Sequence, residues 1–305
     1  VGSEMCIRDR YITAAAALLG GVLAYFLSGH ALKPLRTFAA QVEKVQPNNL
    51  TDTKIPEAVL PEFRQFSRSF NQMLDRLDSG FAAQRQFTGN AAHELRTPLS
   101  LMQAQLELFS AEHPEVSPET ADFLRLLREQ TERMTQMTKT LLEMSELRTV
   151  PCTERIEIGP MVEEIFTDLA PLAERKNITL KATGDGTMTG SDTLLYRLLY
   201  NLTENAIRYN RPDGTVHIAV AYEASCLHIT VTDTGCGIPP PYRESIFQPF
   251  FRVDKSRSRE NGGVGLGLSL AWEIVALHGG EIRVAESSEK GTTIAVSFPT
   301  DASAD

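Results

Sequence analysis

Apolar positions along this chain recur with several spacings, and each change of spacing marks an expected boundary. Residues 11–32, "YITAAAALLGGVLAYFLSGHAL", contain no Asp, Glu, Lys or Arg. As a helix this segment would reach about 33 Å, close to the roughly 30 Å hydrocarbon core of a bilayer. A membrane-spanning helix is predicted, with Tyr11 and Tyr25 near the interfaces and Lys33 and Arg36 following it. A signal peptide or a buried helix would share this pattern. Next, "ALKPLRTFAAQVEKV" reads as a short amphipathic helix with Pro34 near its start, followed by a polar connector with Pro47 and Pro56. Helical spacing then resumes through Phe63, Phe66, Phe70, Leu74, Leu77 and Phe81.

From Phe87 the apolar positions are Phe87, Ala91, Leu95, Leu99, Met102, Leu106 and Phe109, one helical face that runs to about Ser110. "AEHPEVSPE" breaks it with two prolines. A second helix carries Leu127, Gln130, Met134, Met137, Leu141 and Met144 at alternating three- and four-residue steps, which is coiled-coil spacing with one polar insertion. Two helices cannot bury both stripes alone. Two such hairpins make a four-helix bundle, so a homodimer is expected, with packing on the next domain as the alternative.

From about Thr153 the pattern becomes mixed. "ERIEI" and "NITLKA" read as strands around a helix from Pro160 to Arg175. A helix from about Thr193 to Asn210 follows, then the strands "TVHIAVAYEA" and "CLHITVTD", a loop, a helix from about Gly265 to His278, and a final hairpin. Strands interleaved with helices in this way give an α+β sandwich.

The 305 residues are enough for two or three domains, and 42% hydrophobic residues supply a core. A net charge of −9, with no long basic run, argues against nucleic acid as a partner. Cys6, Cys152, Cys226 and Cys236 form no CxxC pair, so neither a zinc site nor a disulfide framework is implied. The opening "VGSEMCIRDR" lacks an initiator Met and reads as a fragment end or a foreign leader.

The chemistry begins at "NAAHELRTPLS", residues 90–100. His93 points roughly 200° away from the apolar stripe. Its same-face neighbours Gly89, Asn90, Arg96, Thr97 and Ser100 are small or polar, so an exposed histidine is expected. No second metal ligand stands three or four residues away. Glu94 is adjacent, and Pro98 removes the hydrogen bond that would reach the Glu94 carbonyl. A titratable ring beside a loosened turn suggests function, although an ordinary surface histidine shares most of this pattern.

Three further stretches carry chemistry. In "CLHITVTDTGCGIPP", Asp233 continues the apolar face of Leu227, Ile229 and Val231, where an unpaired charge is expensive, so a partner is required. Gly235 and Gly237 then permit a tight turn and close approach of a ring. "NLTENAIRYN" sets Asn201, Asn205 and Arg208 on one strip of a helix, able to hold a divalent cation and phosphate oxygens, although a solvated polar face looks the same. "GGVGLGLSLAWEIVALHGG" is a glycine loop opening a helix, an anion site in the making. It follows a charged loop rather than a strand and lacks both GxGxxG and GK[ST], which excludes the dinucleotide fingerprint and the P-loop.

Along the chain stand "HELRTP", "NLTENA", "DTGCGIP", "IFQPFFR", "GGVGLGL" and "GTT". In this order they match the H, N, G1, F and G2 boxes, and from residue 33 to 300 the chain resembles the sensor histidine kinases of two-component systems. The paired helices after the expected span resemble the HAMP linker. The resemblance implies a multi-domain chain: a transmembrane helix and HAMP helices, an all-α dimerising helical hairpin, and an α+β ATP-binding sandwich of the Bergerat fold. The expected divisions are a leader at 1–10, the span at 11–32, the linker at 33–81, the hairpin at 82–150, the ATP-binding domain at 151–300 and a tail at 301–305.

The resemblance further implies that His93 attacks the γ-phosphate of ATP, with Glu94 taking the ring proton. Thr97 completes the HExxT pattern linked to dephosphorylating the partner. Asn205, with Asn201, would hold Mg2+, and Asp233 would read the adenine amine. Arg208, Tyr209 and Arg252, with Gly235, Gly237, Ile238 and Thr292, would line the nucleotide. Gly263, Gly265, Leu266 and Gly267 would line the phosphates in a flexible lid. The phosphoryl group would pass to an aspartate in the receiver domain of a response regulator. The expected place is the inner membrane of a bacterium, with the catalytic part in the cytoplasm. A sensing half is expected to lie outside this sequence, and no fused receiver is expected after Asp305.

Two other readings compete. ATPases of the gyrase and chaperone type share the Bergerat fold but carry a Glu four residues before the metal-binding Asn, where this chain has Asn201. A non-enzymatic scaffold would need a damaged box, and all five boxes are intact.

Overall fold

The computed structural model describes residues 18–23, 25, 54, 61–147, 150–223, 226–253 and 264–299. The chain divides into two compact units, Val1–Ala83 and Gln84–Asp305. Of the expected membrane segment, residues 18–23 are helical, and most of the remainder lies outside the described residues, as do Pro34, Pro47 and Pro56 of the linker. Among the described residues no helix is long and apolar enough to cross a membrane.

Helix α1 spans Pro61–Glu112, 52 residues, and continues through Pro98. Proline removes one donor, and here the turns on either side carry the helix past that gap. At its end the His113 amide donates to Phe109 O (3.0 Å) and the His113 ring stacks on Phe109 at 4.4 Å. Helix α2 spans Pro118–Glu146. Ser117 caps it by accepting from the Thr120 amide at 3.2 Å, and Pro118 sits in the first turn, where its missing N–H is harmless.

The buried positions of this hairpin differ from the expected stripes. Gly89, Ala92 and Leu99 are buried on α1, and Thr131, Thr138 and Leu142 on α2. Phe87 is 75% exposed and Met102 50%, and Leu95, Leu127 and Met134 are also exposed. Gly89, Ala92 and the threonines let the two helices of one chain approach closely around Leu99 and Leu142, while Phe87, Leu95, Met102, Leu127 and Met134 are left on the outside.

The second part of Gln84–Asp305 is the expected sandwich. Strand β1 (Glu154–Glu157) leads directly into α3 (Ile158–Glu174). Strands β2 (Thr179–Thr183) and β3 (Thr187–Gly190) follow, then α4 (Asp192–Arg208). The antiparallel pair β4 (Thr215–Glu223) and β5 (Cys226–Asp233) precedes α5 (Gly267–Leu277), and β6 (Glu281–Ser288) and β7 (Gly291–Pro299) close the chain. Five strands form one sheet in the order β2-β4-β5-β7-β6, with β2 and β4 parallel and the other neighbours antiparallel. Strand β3, which its short Thr- and Gly-rich sequence conceals, pairs with β1 in a separate two-stranded sheet.

Strict alternation buries Val216, Ile218 and Val220 of β4, Leu227, Ile229 and Val231 of β5, and Ile294, Val296 and Phe298 of β7. The three helices cover that face with Ile165 and Leu169 of α3, Leu195, Leu198 and Leu202 of α4, and Ala271 and Ile274 of α5. A half-buried polar group borders this core. His278, after α5, places Nδ1 2.8 Å from Ile274 O, and the Ser191 amide donates to its Nε2 at 3.1 Å. A Cβ on Gly190 would lie 2.9 Å from the ring, so only glycine allows the fit. The ring therefore ties the end of α5 to the start of α4.

Burial lowers the His278 pKa below its ordinary value. The folded value then lies under the unfolded one of about 6.5. Stability from this neutral ring is fully present above about pH 6.5 and is lost as pH falls toward the folded pKa, because the unfolded chain takes up the proton first. Urea unfolding of Gln84–Asp305 at pH 7.5 and 5.5 is expected to show this loss, and His278→Gln, which keeps an acceptor, to flatten it.

Candidate active site

Helix α4 buries Leu195, Leu198, Leu199 and Leu202 on one side, which leaves Asn201, Asn205 and Arg208 along the other, as the spacing predicts. Arg208 is held by Glu204 one turn back at 2.7 Å. The Lys176 ammonium donates to the carbonyl of Arg208 and, at 3.5 Å, to that of Ile207, closing the C-terminal end of α4 with a cation. Burial, then the Arg208 charge, lowers the Lys176 pKa. Lys176 was invisible in the sequence because a separation of 32 residues carries no local signal. After α4, Asn210 is buried and donates to Thr215 O while accepting from Thr234, which locks the turn that holds Tyr209.

Asp233 ends β5 and has the partners its position demands. One carboxylate oxygen accepts from the Gly235 amide at 2.7 Å and from the Thr292 amide at 3.2 Å. Burial nonetheless raises the Asp233 pKa, against the pull of those two amides. Gly235 is buried, and a Cβ there would stand 2.3 Å from Tyr209 O. Gly237 has φ +73°, and a Cβ would meet Ser288 O at 1.9 Å. The Ile238 amide donates to Ser287 Oγ at 2.7 Å, and Arg243 donates to Ser287 O at 2.6 Å. Thr292 is buried, with its hydroxyl 3.1 Å from that of Ser287.

The glycine loop opens α5. Gly265 adopts φ +81° and accepts from the Phe250 amide at 2.8 Å. Leu266 is buried at the cap, and no side chain among the described residues caps the helix, which leaves its first amides open to a ligand. Gly263 lies outside the described residues. Arg252 lies near Arg208 and Arg133 of α2, and burial together with those two cations lowers its pKa.

These elements enclose one cleft of about 1330 Å³. Asn201, Asn205, Arg208, Tyr209, Asp233, Gly237, Ile238, Arg252, Gly265, Leu266, Gly267 and Thr292 all line it, and Gly235 packs just behind them. Gln136, Lys139, Thr140 and Glu143 of α2 form a further wall that the sequence did not reveal. Glu143 pairs with Arg197, one turn before Asn201 on α4. His93, Glu94 and Thr97 do not line the cleft. The His93 side chain is 54% exposed, as expected, with Nε2 3.9 Å from Glu146 Oε1.

Family models match three stretches of the chain: the HAMP domain over residues 26–79, the His Kinase A (phospho-acceptor) domain over 83–149, and the histidine kinase-, DNA gyrase B- and HSP90-like ATPase over 190–302. Sensor protein IrlS of Burkholderia pseudomallei is 30% identical over 95% of this chain. Sensor histidine kinase RppB of Synechocystis is 35% identical over 72% of it. The chain belongs to the sensor histidine kinases with HAMP, HisKA and ATPase domains. It spans 63% of the length of IrlS and 50% of RppB. Among solved structures, full-length ShkA in complex with AMPPNP shares the fold, with TM-score 0.57 and 22% identity over 72% of this chain and 47% of that one.

The amide side chains of the cleft suit a divalent cation that brings its own phosphates. A Cβ on Gly267 would lie 3.4 Å from Asn201 Oδ1 and 3.8 Å from Asn205 Nδ2, so both amides turn toward the open first turn of α5. Asn201 Nδ2 is enclosed and has no hydrogen-bond partner among the described residues. No cluster of three or more His, Cys, Asp or Glu that could hold a metal exists among the described residues. A divalent ion would therefore rest on amide oxygens and on the phosphates of its own ligand.

The raised Asp233 pKa means that its charge is less welcome in the fold than in water. Asp233→Asn, which can still accept from both amides, is expected to leave the unfolding free energy within about 1 kcal/mol. Asp233→Leu strands both donors and is expected to lose about 2 kcal/mol or more. Urea denaturation at pH 7 distinguishes the two.

Proposed function

We propose that this kinase phosphorylates His93 from ATP and passes the phosphoryl group to an aspartate of a response regulator receiver domain. The observation that carries this reading is the convergence of Asn201, Asn205, Asp233, Thr292 and the opening of α5 on one cleft, with an exposed histidine on a separate hairpin. Phosphoryl transfer asks a protein for positioning and charge neutralisation more than for covalent chemistry, and the cleft supplies both.

Asp233 accepts from the exocyclic amine of adenine, in a pocket that Gly235, Gly237 and Ile238 leave open. The Gly265–Gly267 amides and the first turn of α5 take phosphate oxygens. Arg208, Arg252 and Tyr209 line the nucleotide. Asn201 and Asn205 would hold Mg2+, which would supply charge neutralisation to the phosphates. His93 attacks the γ-phosphorus while Glu94 accepts the ring proton, and Thr97 serves the reverse task of dephosphorylating the regulator. The outward apolar side chains Phe87, Leu95, Met102 and Met134 support a homodimer, in which a second hairpin covers them. A charge-free segment at 11–32 supports attachment to the inner membrane, with the kinase domains in the cytoplasm.

With γ-labelled ATP and Mg2+, the chain is expected to take up acid-labile, base-stable label, and His93→Gln none. Label on His93→Gln would move the acceptor elsewhere. Steady phosphate release without labelled protein would favour a hydrolytic ATPase, and bound ATP with neither product would favour a scaffold. Asn205→Ala is expected to lower labelling at least a hundredfold while a fluorescent nucleotide still binds without Mg2+.

A further inference from the structure

Helices α1 and α2 approach closely beside the phospho-acceptor. Gly89 is buried, and a Cβ on it would lie 2.9 Å from Ser145 Oγ. His93 follows Gly89 by one helical turn, and Glu146 follows Ser145 by one residue. The small contact thus brings Glu146 Oε1 to 3.9 Å from His93 Nε2. Glu94, though next in sequence, projects about 100° around the helix from His93. The motif that identifies the acceptor therefore does not contain the acidic group that faces its ring across the hairpin.

We infer that Glu146 shortens the life of the phosphohistidine once it forms. The inference rests on the kinase reading. A phosphoryl group on Nε2, carrying close to two negative charges, would sit against this carboxylate. Like charges at about 4 Å repel even in a solvated setting. In the loose transition state of phosphoryl transfer the group moves off the ring, and the repulsion is relieved. Glu146 thus raises the energy of the phosphorylated ring more than that of its transition state. In loss to water the N–P bond breaks as an O–P bond to water forms. The ring nitrogen keeps the electron pair and takes one proton of the water, and the other leaves with inorganic phosphate.

The test follows the decay of label on the full folded chain, freed of nucleotide, for the wild type, Glu146→Gln and Glu146→Asp. A variant that labels poorly from ATP is phosphorylated with phosphoramidate instead. Glu146→Gln is expected to lengthen the phosphohistidine half-life about three- to tenfold, and Glu146→Asp, which keeps the charge, to stay within about twofold of wild type. Near 1 M salt the gap is expected to narrow, and in denaturant all three should decay alike. Equal half-lives for wild type and Glu146→Gln in the folded state, or a shorter one for the variant, overturn the inference while leaving the kinase reading intact. A wild type that takes no label from ATP sinks that reading and this one with it.

Discussion

The carboxylate of Asp233 joins three segments that nothing local would hold together. Through one oxygen it fixes the turn at Gly235 and the start of β7 at Thr292 to the end of β5. The geometry leaves no room for side chains. A Cβ on Gly235 would strike Tyr209 O, and one on Gly291 would come within 1.9 Å of Asp233 O. The glycines are therefore conditions for the hydrogen bonds, and the hydrogen bonds are the condition for a charge so far inside. Burial still outweighs them, as the raised pKa shows. Under the kinase reading, that disfavoured charge is held for the adenine amine that arrives from the cleft.

The hairpin follows a different logic. Its interior in one chain is narrow and partly polar, with Ala92, Thr131 and Thr138 among the buried positions. Hydroxyls there fold back on their own helix: Thr131 donates to Leu127 O at 2.8 Å and Thr138 to Thr135 O at 2.9 Å. Such a seam buries little apolar area. Phe87, Leu95, Met102, Leu127 and Met134 point outward, and that is where bundle formation would draw its energy.

The α/β half was legible in the sequence wherever a period was strong. Alternation in β4, β5 and β7 and the 3.6-residue stripe of α4 placed those elements within about two residues, since each has one buried face. The motif residues of the cleft were legible too, because glycines, asparagines and a strand-end aspartate have few other reasons to occur together. Strand β3 was not, being four residues long with two threonines. The hairpin was legible in part: its apolar stripes were expected to need a second copy, and Phe87, Leu95 and Met134 are exposed in one chain, but which positions meet within that chain was not, because a heptad pattern does not say which copy covers which face. Lys176, Glu143 and Glu146 were beyond reach for one shared reason. Each acts across a long sequence separation, on a partner that only the packed structure brings near.

The two halves of the proposed reaction lie apart in this arrangement, and that follows from α4. This helix carries Asn201 and Asn205 into the cleft and, one turn earlier, Arg197 into the ion pair with Glu143 of α2. The cleft consequently faces Gln136–Glu143, whereas His93 stands beside Glu146 and outside it. Attack on a γ-phosphorus requires the reacting atoms about 3–3.5 Å apart. Under the kinase reading, transfer within one chain requires the sandwich to travel along the hairpin and the Glu143–Arg197 pair to open as it does. Burial raises the Glu143 pKa despite the opposing charge, so desolvation has already consumed much of the attraction. A contact of that kind holds one arrangement without making it permanent, which is what the kinase reading requires.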